Sequence, residues 1–240
     1  MQVILVLCSF FYGHLERTEM PKFNSDNSLL VRYVDDFLLI STDLRIARDF
    51  VSCMHTGFPD HGCEINFDKT LTNFEMETGG MNLTCVGIEK EFPWCGLLIC
   101  QKSLDVKSDY SRMHDTRFSL LDIDSQNTLS INFAGRIGEN LINKIVQYLK
   151  SKLHPIFLDE RINSRRSTIL NIYQGCLLCA TKFVSYCSSA FPKLAMINMG
   201  FLERAIVEII QRGYGAYKSQ AVSLKGSATY TMKVSEYILY

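Results

Sequence analysis

The strongest constraint in this sequence is a pair of neighbouring acidic residues, Asp35 and Asp36, inside the otherwise apolar run at 29–40. The flanking residues predict buried strands, and burying an unpaired carboxylate among them costs several kcal/mol. A hairpin with both acids at its tip avoids this cost and directs the two carboxylates into the same cleft. Paired carboxylates at a strand turn are ligands that Mg²⁺ takes in polymerase sites. An ordinary surface turn is the alternative for an Asp-Asp pair, and the residues alone leave both interpretations open.

The rest of the sequence predicts two parts of different character. With 240 residues and a 47% hydrophobic composition, the chain can bury a core in one large domain or two small ones. The first part mixes helical and strand patterns, whereas long apolar patterns with a 3.6-residue period follow residue 108. We therefore predict an α+β chain with a mixed part over residues 1–108, a helical part over 109–220 and a loosely held, disordered tail over 221–240. The single elements predicted are helices at 1–17, 44–56, 137–153, 162–188 and 196–218, a hairpin at 29–40, strands at 63–67, 83–88 and 94–100, and a turn at Gly79-Gly80.

Charge and cysteine content indicate which partners and which cellular compartment suit this chain. The 25 basic and 25 acidic residues balance, so the average charge predicts no nucleic-acid partner, although an average can hide a local basic face. A local surplus exists at 136–166, where seven basic residues stand against three acidic ones. Such a surplus suits nucleic-acid phosphates, but taken alone it is better explained by a solvated helix face. The nine cysteines lie scattered, many of them in apolar runs, which indicates free thiols in a reducing, intracellular compartment. The apolar start of the chain is too short to span a bilayer, so we expect no membrane partner.

Several segments resemble the motifs of one enzyme family. Tyr33-Val34-Asp35-Asp36 matches the Tyr-x-Asp-Asp signature of reverse transcriptases, and residues 30–39 together resemble motif C of telomerase reverse transcriptase. Residues 62–70 are similar to motif D of that family, residues 92–99 to its motif E, and residues 7–16 to the helix after its motif B. The resemblance keeps order and spacing over about 10–217. Residues 1–6 and 225–240 match nothing that we recognise in the family, and 117–130 is expected to be a variable loop.

The resemblance implies a role for each matching position. Asp35 and Asp36 would be the palm carboxylates of the catalytic metal site, with Asp35 the firmer ligand and Asp36 the looser one. Lys69 would lie near the phosphates of the incoming nucleotide and protonate the leaving pyrophosphate, which suits the compact charge and transferable protons of an ammonium group. The remaining implied positions are the primer grip, at Trp94, Cys95 and Gly96, and weaker candidates for duplex contact at Asp109 and Tyr110. The basic surplus at 136–166, and not a matching motif, adds Lys150, Lys152, Arg165 and Arg166 as candidate nucleic-acid contacts.

By the same resemblance, the chain is a partial reverse-transcriptase palm followed by an all-helical thumb. The implied function is that of the telomerase catalytic subunit, RNA-templated addition of telomeric DNA repeats to chromosome 3′ ends by two-metal nucleotidyl transfer with Mg²⁺. The implied partners are telomerase RNA, the telomeric DNA primer as an RNA–DNA hybrid, deoxynucleoside triphosphates and the remainder of the telomerase protein, in the nucleus at telomeres. The aspartate of motif A is absent, so we expect the isolated chain to be inactive. A Penelope-like or non-LTR retroelement reverse transcriptase, and a non-catalytic thumb module that binds RNA–DNA hybrid, remain alternatives.

Overall fold

The computed structural model describes residues 2–110, 137–190 and 199–224. The chain forms two compact units, Met1–Cys95 and Gly96–Tyr240. Helices and small sheets are both present, so the predicted α+β class is confirmed. None of the helices in the described ranges combines the length and the apolar character that crossing a bilayer requires.

The first unit is built around two helices and a hairpin. Helix α1 spans Gln2–Glu19, the hairpin strands are β1 at Ser28–Tyr33 and β2 at Asp36–Ser41, and helix α2 spans Leu44–Thr56. Apolar side chains from both helices and from the segments that follow them form the core: Leu15, Met20, Phe23, Phe50, Met54 and Phe58. Short strands complete the unit, namely β3 at Leu71–Thr72, β4 at Glu77–Thr78, β5 at Met81–Asn82, β6 at Thr84–Cys85 and β7 at Phe92–Trp94. β4 and β5 form an antiparallel hairpin, whereas β3 pairs with β6 in parallel.

Local sequence explains the elements that surround the acidic pair. β1 and β2 pair antiparallel with Tyr33 opposite Asp36, so the two apolar runs become partner strands and the acids fall at their junction. α2 begins where the Asp43 side chain accepts the backbone N–H of Arg45 at 2.8 Å. The helix ends at Gly57, whose φ of 75° lies in the region that favours glycine. The predicted hairpin and the predicted helix at 44–56 are both confirmed.

The second unit is a helical bundle with a small strand edge. Strands β8 at Leu97–Ile99 and β9 at Val106–Ser108 pair antiparallel. Four described helices follow: α3 at Ile137–Lys152, the single turn α4 at Pro155–Leu158, α5 at Arg165–Ala190 and α6 at Met199–Ser223. α3 packs against both α5 and α6. The core between them contains Leu141, Ile145, Leu149, Leu153, Leu158, Ile172, Cys179, Phe183 and Tyr217.

Strand β9 is attached to the helices by buried amide side chains. The backbone N–H of Val106 donates to Asn163 Oδ1 at 2.7 Å, and its carbonyl accepts from Asn171 Nδ2 at 2.9 Å. Asn163 and Asn171 are both buried, so these bonds satisfy backbone groups that water does not reach. They also explain why the second compact unit begins at Gly96, earlier than the change of composition at residue 108. The predicted domain boundaries themselves stay a prediction.

Three strand predictions do not match the structure. Residues 63–67 form no strand: Cys63 makes an isolated bridge to Phe58, and the Asn66 side chain accepts the backbone N–H of Asp68 at 3.0 Å and starts a 3₁₀ turn. A tight turn at 95–96 interrupts the predicted strand at 94–100, and the one at 83–88 is reduced to Thr84–Cys85.

The long helices of the second unit are confirmed with shifted ends. The last of them continues through Ser223 and so enters the predicted tail. The expected variable loop at 117–130 and the tail beyond residue 224 lie outside the described residues.

Candidate functional site

The two acids lie on a tight and strained hairpin turn. Because Tyr33 pairs with Asp36, the turn itself consists of Val34 and Asp35. Val34 has a φ of 58°, and this positive first φ is typical of the type II′ turns that connect hairpin strands. Glycine usually occupies that position, since a β-branched residue with positive φ costs about 1–3 kcal/mol. The strained turn leaves both carboxylates, those of Asp35 and Asp36, exposed.

Arg32 holds this turn in place, and the sequence analysis did not identify it. Its Nη1 donates to the Val34 carbonyl at 2.7 Å, and this hydrogen bond stabilises the strained conformation of the turn. Its Nε is ion-paired with Glu16 of α1, and its guanidinium lies 5.7 Å from the centre of the Tyr12 ring. The Arg32 side chain is largely buried by these contacts. The unused sequence signal for Arg32 is a lone basic residue in an apolar strand, three positions before an acid.

A second tight turn carries the residues of the implied primer grip. Cys95 and Gly96 have φ values of 49° and 77°, and two consecutive positive values are typical of a type I′ hairpin turn. A Cβ added to Gly96 would meet no atom within 4 Å, so the backbone there is open to close approach by a ligand. Trp94 is half-buried, and its indole N–H donates to no atom of the described residues.

The tips of the two turns touch within the first unit. Cys95 Sγ lies 3.3 Å from Asp36 Oδ2, within hydrogen-bond distance for a thiol and a carboxylate. An ionised carboxylate only accepts, so the thiol is the donor. This contact joins two of the sequence-predicted positions across 59 residues of chain.

Lys69 is not brought into direct contact with them. It ends a single 3₁₀ turn at Phe67–Lys69 and its side chain is exposed. Among the described residues, none forms a hydrogen bond or ion pair with its ammonium group. Its predicted role therefore stays a prediction.

Of the predicted positions in the second unit, Tyr110 and Lys152 are brought together. The Lys152 ammonium lies 5.5 Å from the centre of the Tyr110 ring and 5.7 Å from that of Tyr148. Burial lowers the pKa of Lys152, and burial raises the pKa of Tyr110. Burial also raises the pKa of Tyr148 to about 12. The Lys152 ammonium makes cation–π contacts with both rings, so this residue packs within the second unit as well as being a candidate nucleic-acid contact.

The other predicted cations of this unit are exposed. Lys150 borders a cleft of about 560 Å³ between α3 and α6, to which Arg212 also contributes. Arg165 and Arg166 occupy the first turn of α5. Cations at a helix N-terminus are opposed by the helix dipole, so this pair does not serve helix stability. Asp109 lies beside the second turn, where its backbone N–H donates to the Gly96 carbonyl at 2.8 Å.

The acidic turn fits part of a divalent-metal site. Asp35 and Asp36 offer carboxylate oxygens, the hard ligands that Mg²⁺ prefers, on two adjacent exposed residues. Within 2–110, 137–190 and 199–224, however, no group of three or more histidine, cysteine, aspartate or glutamate side chains is placed to hold a metal ion. The described residues thus offer two candidate ligands and not a complete set.

Comparison with known proteins identifies the family. Residues 139–239 match the family model of the telomerase reverse transcriptase C-terminal extension. The chain is 33% identical over 219 residues to the telomerase reverse transcriptase of Bos taurus, which covers 90% of this chain and 19% of the relative. The Rattus norvegicus protein is 35% identical over 181 residues, covering 74% and 15%, and that of Oryza sativa subsp. japonica is 33% identical over 225 residues, covering 87% and 17%.

One solved structure gives a weaker likeness. Apo telomerase from Candida tropicalis aligns with a TM-score of 0.36 and 20% identity, covering 91% of this chain and 33% of that one. A similarity of this size is too low to support a conclusion.

The matched segments also correct one expectation. Residues 225–240 were expected to fall outside the resemblance, but the match to the C-terminal extension continues to residue 239. The chain spans about a fifth of the length of the curated relatives, 19% of the Bos taurus protein. These alignments cover 74–90% of this chain. The chain therefore belongs to the telomerase reverse transcriptase family, and its residues 139–239 correspond to the C-terminal extension of that family.

Proposed function

We propose that this chain is the part of a telomerase catalytic subunit that carries two metal-binding carboxylates, the primer grip and the thumb. The full-length protein would be an RNA-directed DNA polymerase that copies telomerase RNA into telomeric repeats at chromosome 3′ ends, in the nucleus. The observation that carries this proposal is the acidic turn: Asp35 and Asp36 are exposed on a strained two-residue turn, and Asp36 touches the second turn through Cys95. A mere surface loop gains nothing from such strain.

The two carboxylates would bind Mg²⁺ together with a ligand from another part of the full-length protein. Bound there, the metal supplies activation of the primer 3′-hydroxyl and neutralisation of charge on the leaving pyrophosphate. Arg32 keeps the turn in the conformation that presents both acids. The open backbone at Gly96 admits the primer strand, and Lys69 would donate a proton to pyrophosphate.

The second unit would contact the RNA–DNA hybrid. Its exposed cations, Lys150, Arg165 and Arg166, suit phosphates, because backbone contacts hold a duplex without reading its sequence. Deoxynucleoside triphosphates are the substrates of the proposed reaction. The match to telomerase reverse transcriptases, 33% identity over 90% of the chain, favours this reading over a retroelement enzyme.

Primer extension by the full-length protein with its RNA tests the proposal. Asp35→Ala and Asp36→Ala should each lower nucleotide incorporation by about 100-fold or more, since even outer-shell partners of a metal site contribute 10–100-fold. Asp60→Ala is the matched control, because Asp60 is an exposed acid of the same unit that belongs to the 3₁₀ turn Pro59–His61 and not to the acidic turn. Incorporation at the wild-type rate by both turn variants would refute the proposal.

A further inference from the structure

The contact between the two turns involves Asp36 and not Asp35. Among the described residues, Cys95 is the side chain that donates a hydrogen bond to the Asp36 carboxylate, at 3.3 Å from Oδ2. No described side chain donates to Asp35. Asp36 is exposed at the start of β2, so without a partner its carboxylate would rotate freely in water. The thiol therefore restricts the carboxylate that the resemblance alone made the looser ligand.

We propose that Cys95 is a positioning residue for the metal site: its thiol holds Asp36 Oδ2 and leaves the other carboxylate oxygen free for a divalent cation. This inference rests on the proposed function. A hydrogen bond from a neighbouring group to a ligating carboxylate orients it and tunes its affinity.

The backbone geometry supports a specific requirement for the side chain. Cys95 has a φ of 49°, a backbone conformation that glycine adopts readily and in which a Cβ adds strain. The residue at this position carries a side chain despite that strain, and its thiol contacts Asp36. Serine and alanine carry the same Cβ, so variants with either residue share the backbone strain and differ only in the donor.

A metal-free measurement tests the contact in the 240-residue chain. The S–H stretching band of Cys95 is assigned by infrared difference against Cys95→Ala, and a thiol that donates to a carboxylate absorbs at lower frequency than one that does not. We expect Asp36→Ala to move this band to higher frequency. Asp35→Ala removes the same charge from the same turn without touching the thiol, so it should leave the band in place. An unmoved band in Asp36→Ala, or equal shifts in the two variants, would overturn the inference.

The consequence for the metal is measured in the full-length protein with its RNA. Cys95→Ala should lower kcat and raise the Mg²⁺ concentration for half-maximal primer extension by up to about tenfold. A tenfold change is the low end of what loss of an outer-shell partner causes, and we expect it because a thiol is a weak hydrogen-bond donor. The KM for primer should stay within about twofold, and Cys95→Ser should recover most of the Mg²⁺ response, since a hydroxyl also donates. Circular dichroism of each variant checks that the fold is kept.

The outcomes separate this inference from the proposed function. If Asp36→Ala abolishes extension and Cys95→Ala only raises the KM for primer, Cys95 acts as a primer contact, and the inference fails while the proposed function stands. Failure of Cys95→Ser to recover the Mg²⁺ response also overturns it. If Asp35→Ala and Asp36→Ala both extend normally, the proposed function itself fails.

Discussion

Asp105 offers the sharpest test of how the strand edge is attached to the helices. Its carboxylate accepts the backbone N–H of Ser164 at 2.6 Å, the Ser164 hydroxyl at 2.9 Å and the Ser167 hydroxyl at 2.9 Å. These donors lie at the beginning of α5, where the helix dipole also favours an anion. The carboxylate therefore acts as a cap supplied by a distant segment of the chain, 59 residues away from Ser164.

The magnitude follows from the number and type of these bonds. Each hydrogen bond to a charged group contributes about 1.5–3 kcal/mol, but Asp105 is half-exposed and water replaces part of what is lost. Loss of a helix cap costs about 1 kcal/mol and loss of the dipole interaction about 0.5 kcal/mol. We therefore expect Asp105→Ala to lower the free energy of unfolding by about 2 kcal/mol and Asp105→Asn, which keeps one oxygen, by about 1 kcal/mol.

The effect should also depend on pH. Burial alone would raise the pKa of Asp105, but the hydrogen bonds from Ser164 and Ser167 outweigh it and hold the pKa below the ordinary 3.8. The contribution is thus fully present above that ordinary value and is lost as pH falls through the lower folded-state pKa. The difference in stability between wild type and Asp105→Asn should be full at neutral pH and shrink in acid.

Urea unfolding followed by circular dichroism measures both effects. Glu203→Gln is the control, because it neutralises an exposed acid on α6. Asp105→Asn within about 0.3 kcal/mol of wild type at neutral pH would contradict the account, since the expected loss is about three times larger. A difference that does not change between neutral and acid pH would contradict the pKa argument.

Three further predictions concern packing and binding. Gly138→Ala should destabilise the folded chain by about 1–3 kcal/mol, because the added Cβ would lie 2.5 Å from the Phe201 ring of α6. Gly215→Ala, whose added Cβ would meet no atom within 4 Å, should stabilise the folded chain by up to about 1 kcal/mol, and thermal unfolding measures both changes. Asn171→Leu should cost about 2 kcal/mol in urea unfolding, because the buried Val106 carbonyl loses its donor, and an unchanged midpoint would show that water satisfies it. The 240-residue chain should bind RNA–DNA hybrid weakly, with an affinity that falls steeply with salt concentration, and Lys150→Ala should lower the slope of that salt dependence by about one. The same chain should extend no primer, and measurable nucleotide incorporation by it alone would contradict the expectation.

The sequence by itself determined the features that depend on near neighbours. The hairpin at Asp35 and Asp36 follows from two apolar runs flanking a polar pair, and α2 follows from an aspartate cap, an apolar period and a terminating glycine. The long helices were predictable for the same reason, since their apolar patterns repeat within a few residues. The prediction at 63–67 was wrong because a side chain at Asn66 competes locally for the backbone, a choice that strand patterns do not reveal.

Only the tertiary structure decided which distant residues meet. Nothing in the local sequence of Lys152 indicates that its charge lies over the ring of Tyr110, whereas its contact with Tyr148 is the ordinary i,i+4 neighbourhood of a helix. Likewise, the bond from Cys95 to Asp36 spans 59 residues, and the bond from Asn171 to Val106 spans 65. Such contacts depend on how whole elements pack, because a hydrogen bond forms within a few tenths of an ångström and a sequence pattern fixes only the direction of a side chain along its own element.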